Sequence, residues 1–135
     1  MKSLADLAPQ PVWSYFSDIL QIPRPSGKED EIIAYLLRFA DRHDLDAKKD
    51  EAGNVLITKP AYPGKEKLPG VVLQTHLDMV CEKNQEKEFD FMEDPIEVIV
   101  GDDWVTANGT TLGADDGIGI AAQLAVLASD EIEHG

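Results

Sequence analysis

The chain has 135 residues, of which 43% are hydrophobic, enough for one domain with a core of its own. Its 12 Lys and Arg against 26 Asp and Glu give a net charge of −14, which repels phosphate backbones and argues against nucleic acid as a partner. No apolar run approaches the roughly 18 residues of a membrane span, and the N-terminus lacks a secretory signal, so no membrane partner is expected. The single cysteine, Cys81, allows no internal disulfide, and we expect a cytoplasmic location.

The first third of the chain predicts two helices. Apolar residues recur at helical spacing in PQPVWSYFSDILQI (9–22), and PRPSG (23–27) interrupts the pattern. A second helix is predicted over KEDEIIAYLLRFADRH (28–43), with Ser26 as its N-cap and Glu29 completing a capping box. Its buried face is expected to contain Ile32, Ile33, Leu36, Leu37 and Phe39 or Ala40.

Strands are predicted in the middle of the chain. LDAKKDEAGNVLITKP (45–60) is typical of two short strands around a turn at 52–54. The apolar run at 71–75 predicts a buried strand that ends at His76, and the charged residues 81–95 indicate a surface excursion. A hairpin is predicted over 96–106, with its turn at 101–103.

The last predicted element is an Ala- and Leu-rich helix in DDGIGIAAQLAVLASD (115–130), expected to be largely buried. The element order predicts an α/β domain with a layered, mixed β-sheet and flanking helices, because strands come both singly and as hairpins. A helix that is apolar on all sides needs a sheet on one face and more protein on the other. We therefore expect residues 1–135 to be a piece of a longer protein.

The first candidate functional motif is the triplet His76-Leu77-Asp78, at the end of the predicted strand. A carboxylate beside an imidazole can accept the proton on one ring nitrogen and leave the other nitrogen free to bind a metal. The alternative is a histidine that merely ends a strand, beside an aspartate that caps the turn.

The second candidate motif is GTTLGADDGIGIA (109–121), where Asp115 and Asp116 open an apolar helix. One aspartate is enough for an N-cap, whereas two buried neighbouring carboxylates repel each other unless a cation or donors hold them. A glycine-rich loop could also bind phosphate, but the acidic pair and the lack of Lys or Arg from 88 to 135 argue against it. An imidazole from His76 and a carboxylate from Asp115 are ligand types that Zn²⁺ takes, with further ligands from Asp116, nearby acids or residues outside this chain.

The two motifs in this order carry a resemblance to a known family. QTHLDMV (74–80) followed by GTTLGADDGIGIA resembles the N-terminal metal motifs of the dizinc peptidases of metallopeptidase family twenty. More narrowly, the sequence is similar to the aminoacyl-histidine dipeptidase (Xaa-His dipeptidase, peptidase D) branch. IPRPSGKEDEI (22–32) and DEAGNVLI (50–57) match that branch as well.

The resemblance implies a role for three residues. His76 is implied as a ligand of one zinc, Asp115 as a bridge between two zinc ions, and Asp78 as the catalytic-site residue that orients His76. Residues 1–135 are implied to be the N-terminal portion of the catalytic domain, with a smaller lid or dimerisation domain inserted further along. The general-base glutamate and the remaining ligands are expected after residue 135, since Glu131, Glu133 and His134 match no family position.

The implied activity is zinc-dependent hydrolysis of aminoacyl-histidine dipeptides, with two Zn²⁺ per active site and Co²⁺ or Mn²⁺ as substitutes. The implied partners are a small peptide substrate and a second copy of the full-length protein in a homodimer. Residues 1–135 alone are expected to be inactive. A tripeptidase and an N-acyl amino acid deacylase of the same family stay open, as does a non-catalytic acidic cation-binding module. A calcium module would demand oxygen ligands without a histidine. Cys81 is interpreted as a bystander, and His43 as a residue at a helix C-terminus that interacts with the helix dipole.

Overall fold

The chain folds into three α-helices, a short 3-10 helix and four short strands. The structure is a computed structural model and describes all of residues 1–135. None of its helices combines the length and apolar character that crossing a bilayer requires. The elements in chain order are the 3-10 helix Leu4–Asp6, α1 (Gln10–Leu20), α2 (Asp30–Arg42), β1 (Asp46–Lys49), β2 (Val55–Thr58), β3 (Val98–Val100), β4 (Val105–Ala107) and α3 (Ala114–Ala128).

The core lies between the three helices, and α1 packs mainly against α3. The apolar stripe predicted for α1 is confirmed, because its buried residues come from that stripe. The prediction for α3 was too broad: one face is buried and most of the other side chains are half-exposed. The fully buried core side chains are Phe16, Ile19, Ile32, Phe39, Ile120 and Leu124.

α2 begins later than the capping box predicted. Its N-cap position is occupied by Glu29, and no side chain makes a capping hydrogen bond. The Ser26 hydroxyl instead donates to Asp78, 52 residues away, so the predicted N-cap was wrong.

The buried face of α2 differs from the predicted one at one position. Leu37, which was predicted to be buried, is half-buried, and Tyr35 is buried in its place. Burial, reinforced by the neighbouring Asp18 carboxylate, raises the pKa of Tyr35 well above its usual range.

The strands pair as two hairpins. β1 runs antiparallel to β2, and β3 runs antiparallel to β4, which confirms both predicted hairpins and their turns. Gly53 adopts a positive φ of 93° in the first turn, a conformation that glycine accepts without steric strain. The α/β class is confirmed. The strands, however, form two separate two-stranded sheets and do not join into one mixed sheet within these residues.

Residues 71–75 do not form the predicted buried strand. The side chains of Val71, Val72 and Leu73 are 73%, 85% and 53% exposed, and the backbone of this segment makes no backbone hydrogen bond. A strand needs a neighbour to pair with its N–H and C=O groups, and no strand of residues 1–135 pairs with this segment. His76 therefore follows an exposed segment and not a core strand.

Candidate metal and catalytic site

The structure brings the two predicted metal ligands together. Nε2 of His76 lies 2.9 Å from Oδ1 of Asp115, although 39 positions separate the residues. The predicted proximity is observed, while the role of either residue as a ligand stays a prediction. The side chain of Asp115 is 96% exposed and that of His76 is 51% exposed. The expectation that Asp115 is buried was therefore wrong, because no part of residues 1–135 covers the start of α3 on this side.

Asp78 lies behind the imidazole, as predicted. Its Oδ1 is 2.9 Å from Nδ1 of His76, and the Ser26 hydroxyl donates to its other oxygen. The Asp78 side chain is 34% exposed and is therefore half-buried. The hydrogen bond from Ser26, and then that from His76, lowers the pKa of Asp78. A carboxylate that stays ionised can hold the Nδ1 proton and thereby present Nε2 toward Asp115.

His76 has a carboxylate on each ring nitrogen. The hydrogen bond with Asp115 raises the pKa of His76, partial desolvation opposes that rise, and Asp78 adds to it. Both carboxylates favour positive charge on or beside the ring. A cation bound at Nε2 would take the place of the proton there, because both satisfy the same pair of negative oxygens.

The acidic pair does not cap α3. Gly113 occupies the N-cap position with a positive φ of 77°, and no side-chain capping hydrogen bond is formed. Asp115 and Asp116 have non-helical dihedral angles, and the peptide bond between them is cis. Asp115 contacts His76, and the Asp116 carboxylate lies against Gly119. The N-cap interpretation of this pair is therefore wrong.

The donor set is chemically suited to zinc but incomplete. An imidazole nitrogen and carboxylate oxygens are common zinc ligands, and zinc sites usually have three or four protein ligands. Residues 1–135 contain no group of three or more His, Cys, Asp or Glu side chains placed to hold one ion. Cys81 donates to the Met79 carbonyl, and burial raises the pKa of its thiol, as expected of a bystander. Glu133 pairs with Lys65 and not with a residue of the site.

Arg24 is a residue beside the site that sequence reasoning missed. It is 2% exposed and is the only buried charged residue. Its Nη1 donates to the carbonyls of Leu77 at 2.9 Å and Asp78 at 3.1 Å, and its Nη2 donates to the carbonyl of Gly113. Burial lowers the pKa of Arg24, yet a guanidinium remains charged at neutral pH. Residues 88–135 contain no Lys or Arg near the acidic pair. The positive charge comes instead from Arg24, which lies 89 positions before Gly113 in the sequence.

The glycines before and inside α3 make room for this guanidinium. A Cβ at Gly113 would lie 2.7 Å from Nη2 of Arg24, and a Cβ at Gly117 would lie 2.6 Å from the same atom. Both distances are shorter than real Cβ contacts allow. The glycine-rich loop thus accommodates an internal cation, which is a different use from the phosphate loop considered above. The only sequence signal was an arginine placed between two prolines in PRPSG.

The chain is similar to known peptidases in both sequence and structure. No family model matches the chain. The chain is 47% identical over all 135 residues to the cytosol non-specific dipeptidase of Escherichia coli (strain K12). A crystal structure of aminoacylhistidine dipeptidase from Vibrio alginolyticus matches 99% of the chain with a TM-score of 0.97 and 49% identity. The resemblance to the dipeptidases is confirmed.

The chain spans only part of these dipeptidases. It covers 28% of the length of the E. coli protein and 27% of the V. alginolyticus chain. A tripeptidase structure from Staphylococcus aureus subsp. aureus Mu50 is more distant, with 29% identity and a TM-score of 0.74 over 93% of this chain. The agreement of the fold with the V. alginolyticus dipeptidase bears out the α/β assignment.

Proposed function

We propose that residues 1–135 are the N-terminal portion of the catalytic domain of a zinc-dependent dipeptidase, with aminoacyl-histidine dipeptides as its substrates. One observation carries the proposal: His76 and Asp115 meet at 2.9 Å, with Asp78 on the other nitrogen of the ring. This arrangement suits an imidazole that is held for metal binding. Similarity to proteins named as a dipeptidase and an aminoacylhistidine dipeptidase supports the reaction class.

His76 and Asp115 are the residues that would hold the metal. Zinc bound there would lower the pKa of a bound water and polarise the scissile carbonyl of the peptide. Asp78 keeps the Nδ1 proton and so fixes the tautomer in which Nε2 is the donor atom. Only Oδ1 of Asp115 is engaged, so the second oxygen can serve a second ion, as the proposed two-zinc site requires. Co²⁺ or Mn²⁺ would take the same ligands.

The proposal extends to the full-length protein. The general-base glutamate and the other ligands would come from outside residues 1–135, and the protein would act as a homodimer in the cytoplasm. The word cytosol in the name of the E. coli relative supports that location. The substrate is a small peptide with a free amino end.

A tripeptidase is the second candidate. The similarity to the S. aureus tripeptidase favours it, since that structure shares 29% identity with nearly the whole chain. The tripeptidase activity ranks second because the chain shares a higher sequence identity with the two dipeptidases.

The test uses the full gene product, freed of metal with a chelator and then supplied with Zn²⁺. Hydrolysis is measured on an aminoacyl-histidine dipeptide, a dipeptide without histidine, a tripeptide and an N-acyl amino acid. We expect zinc to restore turnover of the dipeptides, with the histidine-containing one preferred. Fastest turnover of the tripeptide would favour the second candidate, and metal binding without any turnover would favour a cation-binding module.

Variants connect the activity with the site. His76→Ala and Asp115→Asn should each abolish zinc-dependent turnover and weaken zinc binding. His43→Ala is the matched control, because His43 packs on Phe39 at the C-terminal end of α2 and belongs to neither site motif. Full activity in His76→Ala would refute the proposed site.

A further inference from the structure

Residues 24–26 contact both parts of the candidate site. The backbone of this segment is joined to the site loop by the hydrogen bond from the Met79 N–H to the Arg24 carbonyl, at 3.0 Å. An isolated parallel bridge between Pro25 and Met79 extends the contact. The segment itself belongs to neither helix, so its placement depends on these contacts with the site.

The Arg24 guanidinium spans the two loops that carry the site. One nitrogen holds the carbonyls of Leu77 and Asp78, which follow His76 in the chain. The other nitrogen holds the carbonyl of Gly113, two residues before Asp115. The planar fork of a guanidinium fixes the spacing of groups bound to its two ends, and burial keeps water from replacing either contact.

Ser26 acts on the same site from its exposed side. Its hydroxyl donates to one Asp78 oxygen, while His76 lies at the other oxygen. Asp78 has no other side-chain partner, so these two contacts determine how its carboxylate is turned. Ser26 is itself exposed and contributes little to the core.

We propose that Arg24 and Ser26 are positioning residues for the metal site: Arg24 sets the spacing between the His76 loop and the Asp115 turn, and Ser26 sets the orientation of Asp78 behind His76. The inference deepens the proposed function and rests on it. Neither residue touches the reacting atoms. Each acts through residues that would hold or orient the metal.

Ser26 gives the cleaner experiment because its removal should leave the fold intact. In the full gene product, Ser26→Ala should weaken zinc binding about 10-fold, the lower end of the usual effect of removing a partner of a ligand. Ser26→Thr keeps the hydroxyl and should restore the affinity. Zinc affinity is measured by competition with a chromophoric chelator, and the melting temperature of the metal-free protein is measured alongside. Wild-type zinc affinity in Ser26→Ala would overturn the role of Ser26.

Arg24→Lys tests the spacing. A single ammonium lacks the two ends of the guanidinium fork and cannot hold both loops. Zinc affinity should therefore fall about 10- to 100-fold, when it is measured at a temperature well below the melting temperature of the variant. The matched control is Lys59→Met. Lys59 donates to the carbonyls of Val126 and Leu127 at the opposite end of α3, so its loss should lower the melting temperature without changing zinc affinity. An Arg24→Lys protein that binds zinc like the wild type would overturn the spacing role.

The outcomes separate this inference from the proposed function. A wild-type protein that neither binds zinc nor hydrolyses peptides contradicts the proposed function. An active wild type with unaffected Ser26→Ala and Arg24→Lys variants contradicts only the positioning roles. If Arg24→Lys does not fold, the Ser26 pair decides, since its two members differ in the hydroxyl contact and not in the core.

Discussion

The two ends of α3 are both held by a cation that donates to backbone carbonyls, and they differ in what the cation does for the helix. At the C-terminal end, Lys59 donates to the carbonyls of Val126, Leu127 and Ser129, and the Ser129 N–H also donates to Val126. A positive charge there also complements the helix dipole. At the N-terminal end, Arg24 binds the carbonyl of Gly113 where the dipole favours negative charge.

The difference shows that helix stability explains one end only. Lys59 binds carbonyls at the end of α3 and complements the helix dipole, as many lysines do at helix ends. Arg24 opposes the dipole, is fully buried, and requires two glycines to fit. Its surroundings compensate for this, since the Asp78 and Asp116 carboxylates lie close enough to favour its charge. The N-terminal end is therefore arranged around the site and not around the helix.

The largest effect is expected for Arg24→Met. The methionine would remove three hydrogen bonds made by a buried guanidinium, and a hydrogen bond to a charged group contributes about 1.5–3 kcal/mol. Of the three carbonyls, that of Leu77 would keep no other partner, whereas the Gly117 N–H donates to Gly113 and Nδ1 of His76 lies 3.0 Å from the Asp78 carbonyl. We expect the free energy of unfolding of the full gene product to fall by about 3 kcal/mol or more, measured by urea denaturation. A loss no larger than that for Lys59→Met would mean that the two ends of α3 are equivalent.

Gly113→Ala should have the next largest effect. It combines a positive φ of 77° with a Cβ that would lie 2.7 Å from Arg24 and 2.8 Å from the Met79 sulfur. Backbone strain and overpacking each cost about 1–3 kcal/mol. The matched control is Gly64→Ala, whose φ is 86° but whose Cβ would meet nothing within 4 Å. Urea denaturation of both separates the two contributions, and equal losses would show that the approach of Arg24 is not tight.

The smallest effect is expected for Lys59→Met. Lys59 is half-buried, so water can partly replace its ammonium at the end of α3. The free energy of unfolding should fall by about 1 kcal/mol, the usual value of a helix-terminal charge and its hydrogen bonds. High salt should reduce this difference between variant and wild type, because a partly exposed charge is screened. No dependence on salt would indicate that hydrogen bonding alone accounts for the loss.

Local patterns in the sequence predicted most of the fold. The helices follow from the 3.6-residue period, and the hairpins follow from short apolar runs around turn residues such as Gly53. The segment at 71–75 was mispredicted because strand formation depends on a neighbour, which an apolar run does not encode. Ser26 was mispredicted because a distant carboxylate, Asp78, takes the hydroxyl that a local capping box would use.

The sequence predicted the part of the site that lies in local motifs. His76, Asp78 and Asp115 stand in motifs whose residue types point to metal chemistry, and the structure places them together. Arg24 left no such pattern, because its partners are backbone carbonyls 53 to 89 positions away and any residue supplies a carbonyl. Long-range contacts to backbone atoms are therefore the part of a site that sequence motifs do not reveal.

The unpaired segment at 71–75 also has a consequence for handling residues 1–135 as an isolated polypeptide. Val71, Val72 and Leu73 present exposed β-branched and aliphatic side chains beside free backbone N–H and C=O groups. The run VVLQT contains no charge and no proline, the two features that commonly block strand addition between molecules. Copies of this polypeptide should therefore pair through this segment and aggregate as concentration rises, and a lysine at position 72 should suppress that aggregation.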